Sequence, residues 1–330
     1  PASSEDEFEA VKKISEKITG TTVAALARAK IDDIDRCIKS LGKREDKKIH
    51  TFISTSPLHI KHKLRMNEND VLEAVKSSVS YARNSCENIE WSAEDATRSD
   101  FDFLCKCIEL AIKQGASTIT IADTVGFTVP EEISKLVKKL RNNVTNIDKA
   151  IFSVHCHDDL GLSVANSLSA IQAGARQVHC TVNGIGERAG NASLEEITMA
   201  INIRNDIYKY TNNINTKLIN LVSKIVEKYT GFLVPNNKAI VGKNAFTHES
   251  GIHQHGVIIN SSTYEIIDPK LVGILSSSLV IGKHSGKHAL KKKVEELGYD
   301  IKKINFDILL KRIKEIANKK KKISNEEIIS

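Results

Sequence analysis

Paired cysteines, aromatic residues and long apolar runs are all scarce in this chain, and each scarcity excludes a class of protein. The six cysteines (Cys37, Cys86, Cys105, Cys107, Cys156 and Cys180) include no C-x-x-C pair. That argues against a zinc ribbon or redox dithiol and for reduced thiols buried in a cytoplasmic protein. Aromatics make up 5% of the residues, too few to interleave with basic side chains over a nucleic-acid-binding face. No apolar stretch approaches the roughly 18 residues of a membrane span, and no secretory signal opens the chain. The first residue is Pro1, so a trimmed start is expected. The net charge of +7 is uneven, with 12 Lys and Arg against 7 Asp and Glu in residues 291–330. That end reads as a solvated basic helical segment, and neither a nucleic-acid nor a membrane partner is expected.

What is present is a repeat. Strand, loop and helix alternate through the first two thirds of the 330 residues. Strands are predicted over residues 21–28, 49–55, 88–95, 117–124, 151–158 and 177–184. Between them lie amphipathic stretches, including residues 69–84 with Val71, Leu72, Val75 and Val79 on one face. Residues 130–140 are another, with proline at the helix start and Glu131 and Glu132 in the first turn. Starts spaced roughly 25–40 residues apart suit βα units in a parallel sheet. Each strand ends in chemically useful residues, which favours a (β/α)8 TIM barrel over a doubly wound sheet with one crevice. Six strands leave the barrel two short, so its first two are expected upstream of Pro1, and the chain is expected to be a fragment with two open sheet edges. The expected divisions are 1–205 for the partial barrel, 206–290 for a smaller, mainly helical linker subdomain with a catalytic loop, and 291–330 for the basic helical segment. Residues 205–229 read as one helical stretch.

The most informative segment is Ser153-Val-His155-Cys-His157-Asp158-Asp159-Leu-Gly161. Alternation puts His155 and His157 on one strand face, where two imidazoles can grip one metal ion. Asn191, 36 residues beyond His155, offers an amide oxygen. With one carboxylate these would make an open site for Mn²⁺, Mg²⁺ or Zn²⁺, Asp158 or Asp159 orienting the ligands from behind. The other reading is two strand histidines satisfied by ordinary hydrogen bonds. Glu94-Asp95 offers a general base or its orienter, or else an exposed acidic pair at a helix start. Thr124 could donate to a substrate carboxylate, or Asp123 and Thr124 could simply cap the following turn.

Two glycine-rich stretches are rejected as nucleotide sites. Gly184-Ile-Gly186-Glu-Arg-Ala-Gly190 has one residue too many before its last glycine and closes the repeat instead of opening it. Gly282-Lys-His-Ser-Gly286-Lys287-His288 is one residue short of a P-loop and lacks the hydroxyl residue after lysine. Thr247-His-Glu-Ser-Gly-Ile-His253-Gln-His255 crowds functional side chains into what reads as a loop.

Taken together, these segments resemble the 2-isopropylmalate synthase family of acyl-CoA Claisen condensing enzymes, within a metal-dependent TIM-barrel superfamily that also holds homocitrate and citramalate synthases. The resemblance rests on residues 50–56, 89–95, 122–126, 154–161, 183–196 and 241–253, in order along nearly the whole chain. It implies His155, His157 and Asn191 as metal ligands, with a fourth, an aspartate of a Leu-Arg-Asp-Gly-Glu-Gln motif, absent here. It implies Glu94, His253 and Tyr264 as the acid/base group, and His50 and Thr124 as substrate contacts. The implied reaction joins acetyl-CoA to 3-methyl-2-oxobutanoate and water. The products are (2S)-2-isopropylmalate and CoA, in the first committed step of leucine synthesis. A homodimer, Mn²⁺ before Mg²⁺ or Zn²⁺, and leucine feedback through a domain beyond residue 330 are also implied. His255 stands where the family more often has aspartate. Homocitrate or citramalate synthesis, a metal aldolase and a binding protein without turnover remain the alternatives.

Overall fold

The computed structural model describes residues 1–282, 285–319 and 323–329. Two compact units emerge, Pro1–Ile197 and Thr198–Ser330. The first is built on six parallel strands: β1 (Val23–Arg28), β2 (Lys47–Ser54), β3 (Ile89–Glu94), β4 (Thr118–Asp123), β5 (Ile151–Cys156) and β6 (Gln177–His179). They lie side by side in chain order. That unreversed order belongs to a TIM-type barrel; a doubly wound sheet reverses at a switch point.

A helix, α1 (Glu5–Lys17), precedes the sheet; α2 (Ile31–Leu41), α3 (Glu68–Arg83), α4 (Phe101–Lys113), α5 (Pro130–Asn143) and α6 (Ser163–Ala173) connect successive strands; and α7 (Leu194–Ile203) follows β6. Their starts follow local chemistry. Asn67 and Asp70 form a reciprocal capping box at α3 (3.1 and 3.0 Å), and Asp100 Oδ1 accepts the Phe103 N–H at α4. Pro130 opens α5, where it forfeits no helical hydrogen bond. One face of the sheet is apolar. Ala25, Ala27, Ile49, Ile53, Ile89, Trp91, Ala93, Ile119, Ile121, Phe152 and Val154 pack in one core with Ile34, Val75, Leu104, Ile108 and Val137 of the helices. Strand alternation therefore turns the intervening residues to the opposite face.

Four expected elements differ. The strand over 151–158 ends at Cys156, and the one over 177–184 ends at His179. The chain leaves both for side-chain and turn contacts, including a left-handed Asn183 (φ 63°). Residues 205–229 are not one helix, since Lys209 turns left-handed after a four-residue helix and α8 (Ile219–Thr230) starts only after a 3₁₀ turn. His253 lies not in a loop but on α9 (Gly251–Ile259).

The second unit continues with a two-stranded pairing of β7 (Thr247–His248) and β8 (Ser278–Leu279). Its last helices are α10 (Lys287–Glu296), α11 (Phe306–Lys319) and α12 (Asn325–Ile329). One of its cores gathers Ile281, Leu290, Val294, Phe306, Ile313 and Ile328. No helix among the described residues is long and apolar enough to cross a membrane, and all six cysteines are free. In the rejected P-loop segment, Lys283 and His284 lie outside the described residues.

Ile121, fully buried between sheet and helices, tests this layering. Ile121→Ala should cost about 2–5 kcal/mol in urea unfolding. A loss below about 1 kcal/mol would contradict a tightly packed helix-facing layer.

Candidate active site

The face of the sheet turned away from the helices carries the chemistry. Near the strand starts, Glu90 of β3 is 2% exposed. It accepts from Lys48 Nζ (3.0 Å), Thr120 Oγ1 (2.6 Å), Gln177 Nε2 (3.0 Å) and His179 Nε2 (2.6 Å). Burial alone would raise this carboxyl, but the bond from His179, the neighbouring imidazoles and Thr120 outweigh it and hold Glu90 below the usual carboxylate range. Two residues further along, His50 Nε2 pairs with Ser92 Oγ at 2.5 Å. The ring of His179 stands between those of His50 and His155, 5.4 Å from each.

At the strand ends these layers open into a cavity of about 530 Å³, within the range of small-molecule sites. Its lining includes His50, Glu94, Thr124, His155, His157 and Asn191, every expected site residue from the barrel region. Glu94 accepts from Ser54 Oγ and Lys63 Nζ. Asp95 is not the exposed acid of the simpler reading. It is fully buried in a left-handed turn (φ 59°), a conformation aspartate tolerates. Arg98 clamps it through two 2.8 Å bonds. Its backbone N–H donates to Thr124 Oγ1 at 2.9 Å, which leaves the threonine proton free to donate. Asp123 braces the turn after β4 through Thr97 and the Thr128 N–H.

His157 sits one residue beyond β5, in an isolated bridge with Asn191. The glycine run that resembles a nucleotide loop serves this bridge. A Cβ on Gly186 would lie 2.0 Å from Asn191 Nδ2, and one on Gly190 would lie 2.0 Å from the Gly184 carbonyl. Asp158 and Asp159 do not orient the imidazoles. Asp158 accepts the Ser163 N–H at the start of α6, and Asp159 is held by Arg188, which also reaches the Thr124 carbonyl.

The donor set fits a divalent ion. Burial foremost, then the neighbouring histidines, pushes His155 down to about 3. Burial likewise lowers His157 and takes His50 down to about 4. These imidazoles are therefore neutral, the form that ligates. Nε2 of His155 and Nε2 of His157 are 3.0 Å apart, about the separation of two ligands at right angles around an ion with bonds of about 2.1 Å. Oδ1 of Asn191 is buried without a partner, an arrangement that normally costs stability unless something completes it. A second cluster, His50, Glu90 and His179, also brings ligand atoms within 4.8 Å of one another. There Glu90 already has its lone pairs filled, with the Lys48 ammonium as its cation, so the His155–His157–Asn191 group is the better candidate.

His253 and Tyr264 belong to the second unit, where their rings stack at 4.1 Å. His255 faces His288 at 4.8 Å between ring centres. Sequence reading missed Glu90, His179, Lys48 and Gln177. The available signal was a polar residue at every second position of strands that should be apolar on both faces.

A family model described as HMGL-like matches residues 1–226, and one described as homocitrate synthase post-HMGL domain-like matches residues 240–321. The chain is 54% identical over 99% of its length to a 2-isopropylmalate synthase of Rhodopseudomonas palustris (strain BisA53), of which it covers 63%. It is 52% identical to one of Bradyrhizobium sp. (strain ORS 278), covering 99% of this chain and 62% of that protein. The chain thus spans less than two thirds of these relatives. Among solved structures, the HMG-CoA lyase of Bacillus subtilis superposes with a TM-score of 0.59 at 18% identity, over 70% of this chain and 77% of that one. The hydroxymethylglutaryl-CoA lyase of Pseudomonas aeruginosa gives 0.58 at 16%, over 68% and 75%. At such identities the likeness establishes the fold alone.

The neutral imidazoles predict a pH dependence. Unfolded histidine takes up its proton near pH 6.5, whereas His50 and His155 resist it until about 4 and about 3. Without divalent ions, stability should be unaffected by these two groups above pH 6.5 and should fall as pH drops from there toward 4. Imidazole NMR signals of both should stay flat between pH 7 and 5; midpoints near 6.5 would contradict the burial.

Proposed function

Because this chain belongs to the HMGL-like family, we propose that it carries the catalytic region of a 2-isopropylmalate synthase. The reaction is a Claisen condensation of acetyl-CoA with 3-methyl-2-oxobutanoate and water. It gives (2S)-2-isopropylmalate and free CoA, the committed step of leucine synthesis. The observation that carries the reading is one cavity lined together by His155, His157, Asn191, Glu94, His50 and Thr124. The curated relatives of that name at 52–54% identity support the choice of keto acid over the homocitrate and citramalate alternatives.

His155, His157 and Asn191 would hold a divalent ion, Mn²⁺ before Mg²⁺ or Zn²⁺, and such an ion polarises a keto group toward attack. Thr124, its oxygen already accepting from Asp95, turns its proton to the keto-acid carboxylate. His50, neutral and tied to Ser92, contacts the substrate beside it. Glu94 is held at the rim by Ser54 and Lys63 and serves, with His253 and Tyr264, in moving the protons of the acetyl methyl group and the new alkoxide. Residues 1–205 would supply the barrel, 206–290 the linker subdomain with its catalytic loop, and 291–330 the lead to a leucine-sensing domain. The whole protein would act as a cytoplasmic homodimer.

The test is CoA release from acetyl-CoA by the full-length protein with Mn²⁺ and, in turn, 3-methyl-2-oxobutanoate, pyruvate and 2-oxoglutarate. Metal-dependent release with the branched keto acid, falling at least about 100-fold in His155→Ala, is expected. Preference for pyruvate or 2-oxoglutarate would transfer the chemistry to the citramalate or homocitrate reading. No release with any of them would refute the condensing activity.

A further inference from the structure

We propose that His179 is a positioning residue for the metal-holding histidines, moored to the sheet through Glu90. The inference rests on the reading of His155 and His157 as ligands and adds a residue outside that set. His179 of β6 is the register partner of His155 on β5. Its Nε2 lies 2.6 Å from Glu90 Oε1. A carboxylate only accepts, so this nitrogen carries the hydrogen and the tautomer is fixed.

Glu90 is itself immobilised, fully enclosed and bonded to Lys48, Thr120 and Gln177. The moored ring meets His155 edge-on at an interplanar angle of 77° and His50 at 62°. One anchored imidazole thus sets the standing room of two pocket imidazoles, one of them a proposed ligand. The arrangement differs from a ligand's own hydrogen-bonding partner in that the constraint passes through ring packing. Hydrogen-bonded supports of a ligand are commonly worth about tenfold or more in metal affinity, and a packed support that locks a ligand's rotamer acts on the same placement of its nitrogen.

The experiment is calorimetric titration of Mn²⁺ into full-length wild type, His155→Ala, His179→Phe, His179→Gln and Glu90→Gln, with folding checked by circular dichroism and bound Mn²⁺ examined by EPR. Phe keeps a ring but cannot reach Glu90, Gln keeps an N–H donor but no ring, and Glu90→Gln removes the anionic anchor. Wild type should bind one Mn²⁺ per chain and His155→Ala should lose it. The other three should keep the stoichiometry, weaken affinity about tenfold or more and alter the zero-field splitting of bound Mn²⁺, while remaining folded. Wild-type affinity and spectrum in His179→Phe would overturn the proposal, and that variant decides the matter if Glu90→Gln does not fold. Undiminished binding in His155→Ala would overturn the ligand reading itself and this inference with it, an outcome separable from the first because it appears in the reference variant.

Discussion

The structure depends on one constraint, the two-residue alternation of parallel strands whose faces meet different surroundings. On β2, β3 and β4 the odd-numbered residues lock into the helices, with Ile49, Trp91 and Ile121 fully buried. A slip of one residue would drive Lys48, Glu90 and Thr120 into that apolar layer, at a cost of several kcal/mol for the charges alone. Register is thereby fixed, and with it the stacking of His50, Ser92, His155 and His179 above Glu90 and of Glu94, Thr124 and His157 above them. The interior of a TIM barrel is ordinarily filled by branched apolar residues. Here it is polar, and it holds because Glu90, Lys48 and Gln177 satisfy one another so completely.

That polar floor explains the electrical character of the site. A buried anion bonded by four partners keeps its charge, while burial strips protons from the imidazoles above it. The result is a cavity in which neutral nitrogen donors and an unpartnered amide oxygen converge. Asn191 enters this group only because the chain between Asn183 and Gly190 folds tightly enough to need glycine at Gly186 and Gly190, where any side chain would strike Asn191 or the Gly184 carbonyl.

Much of this was legible in the sequence. The six strands, the amphipathic stretch that became α3 and the proline start of α5 follow from periodicity and cap chemistry, which are local. Of the expected barrel-region residues, Glu94, Thr124, His155 and His157 lie at or beside strand ends, the place where a barrel puts its chemistry, whereas His50, in the middle of β2, was named only through the family resemblance and Asn191 lies well beyond β6. What was not legible depended on distant partners. Glu90 looks like half of an alternating pattern until Lys48 and Gln177, 42 and 87 residues away, are brought to it. Asp158 and Asp159 looked like supports for the histidines, but a helix start and Arg188 took them. The helix carrying His253 was hidden by Gly251 and Gly256 and a cluster of polar residues, which weaken helix propensity in a segment that tertiary packing nevertheless orders.

The central claim is that His155 and His157 present two imidazole nitrogens to one divalent ion. It is most directly tested by pulsed EPR of the Mn²⁺-loaded, full-length protein, counting ¹⁴N nuclei through electron spin-echo envelope modulation. The account predicts modulation from two imidazole nitrogens, reduced to one in His157→Ala. Absence of nitrogen modulation, or an unchanged count in that variant, would contradict it.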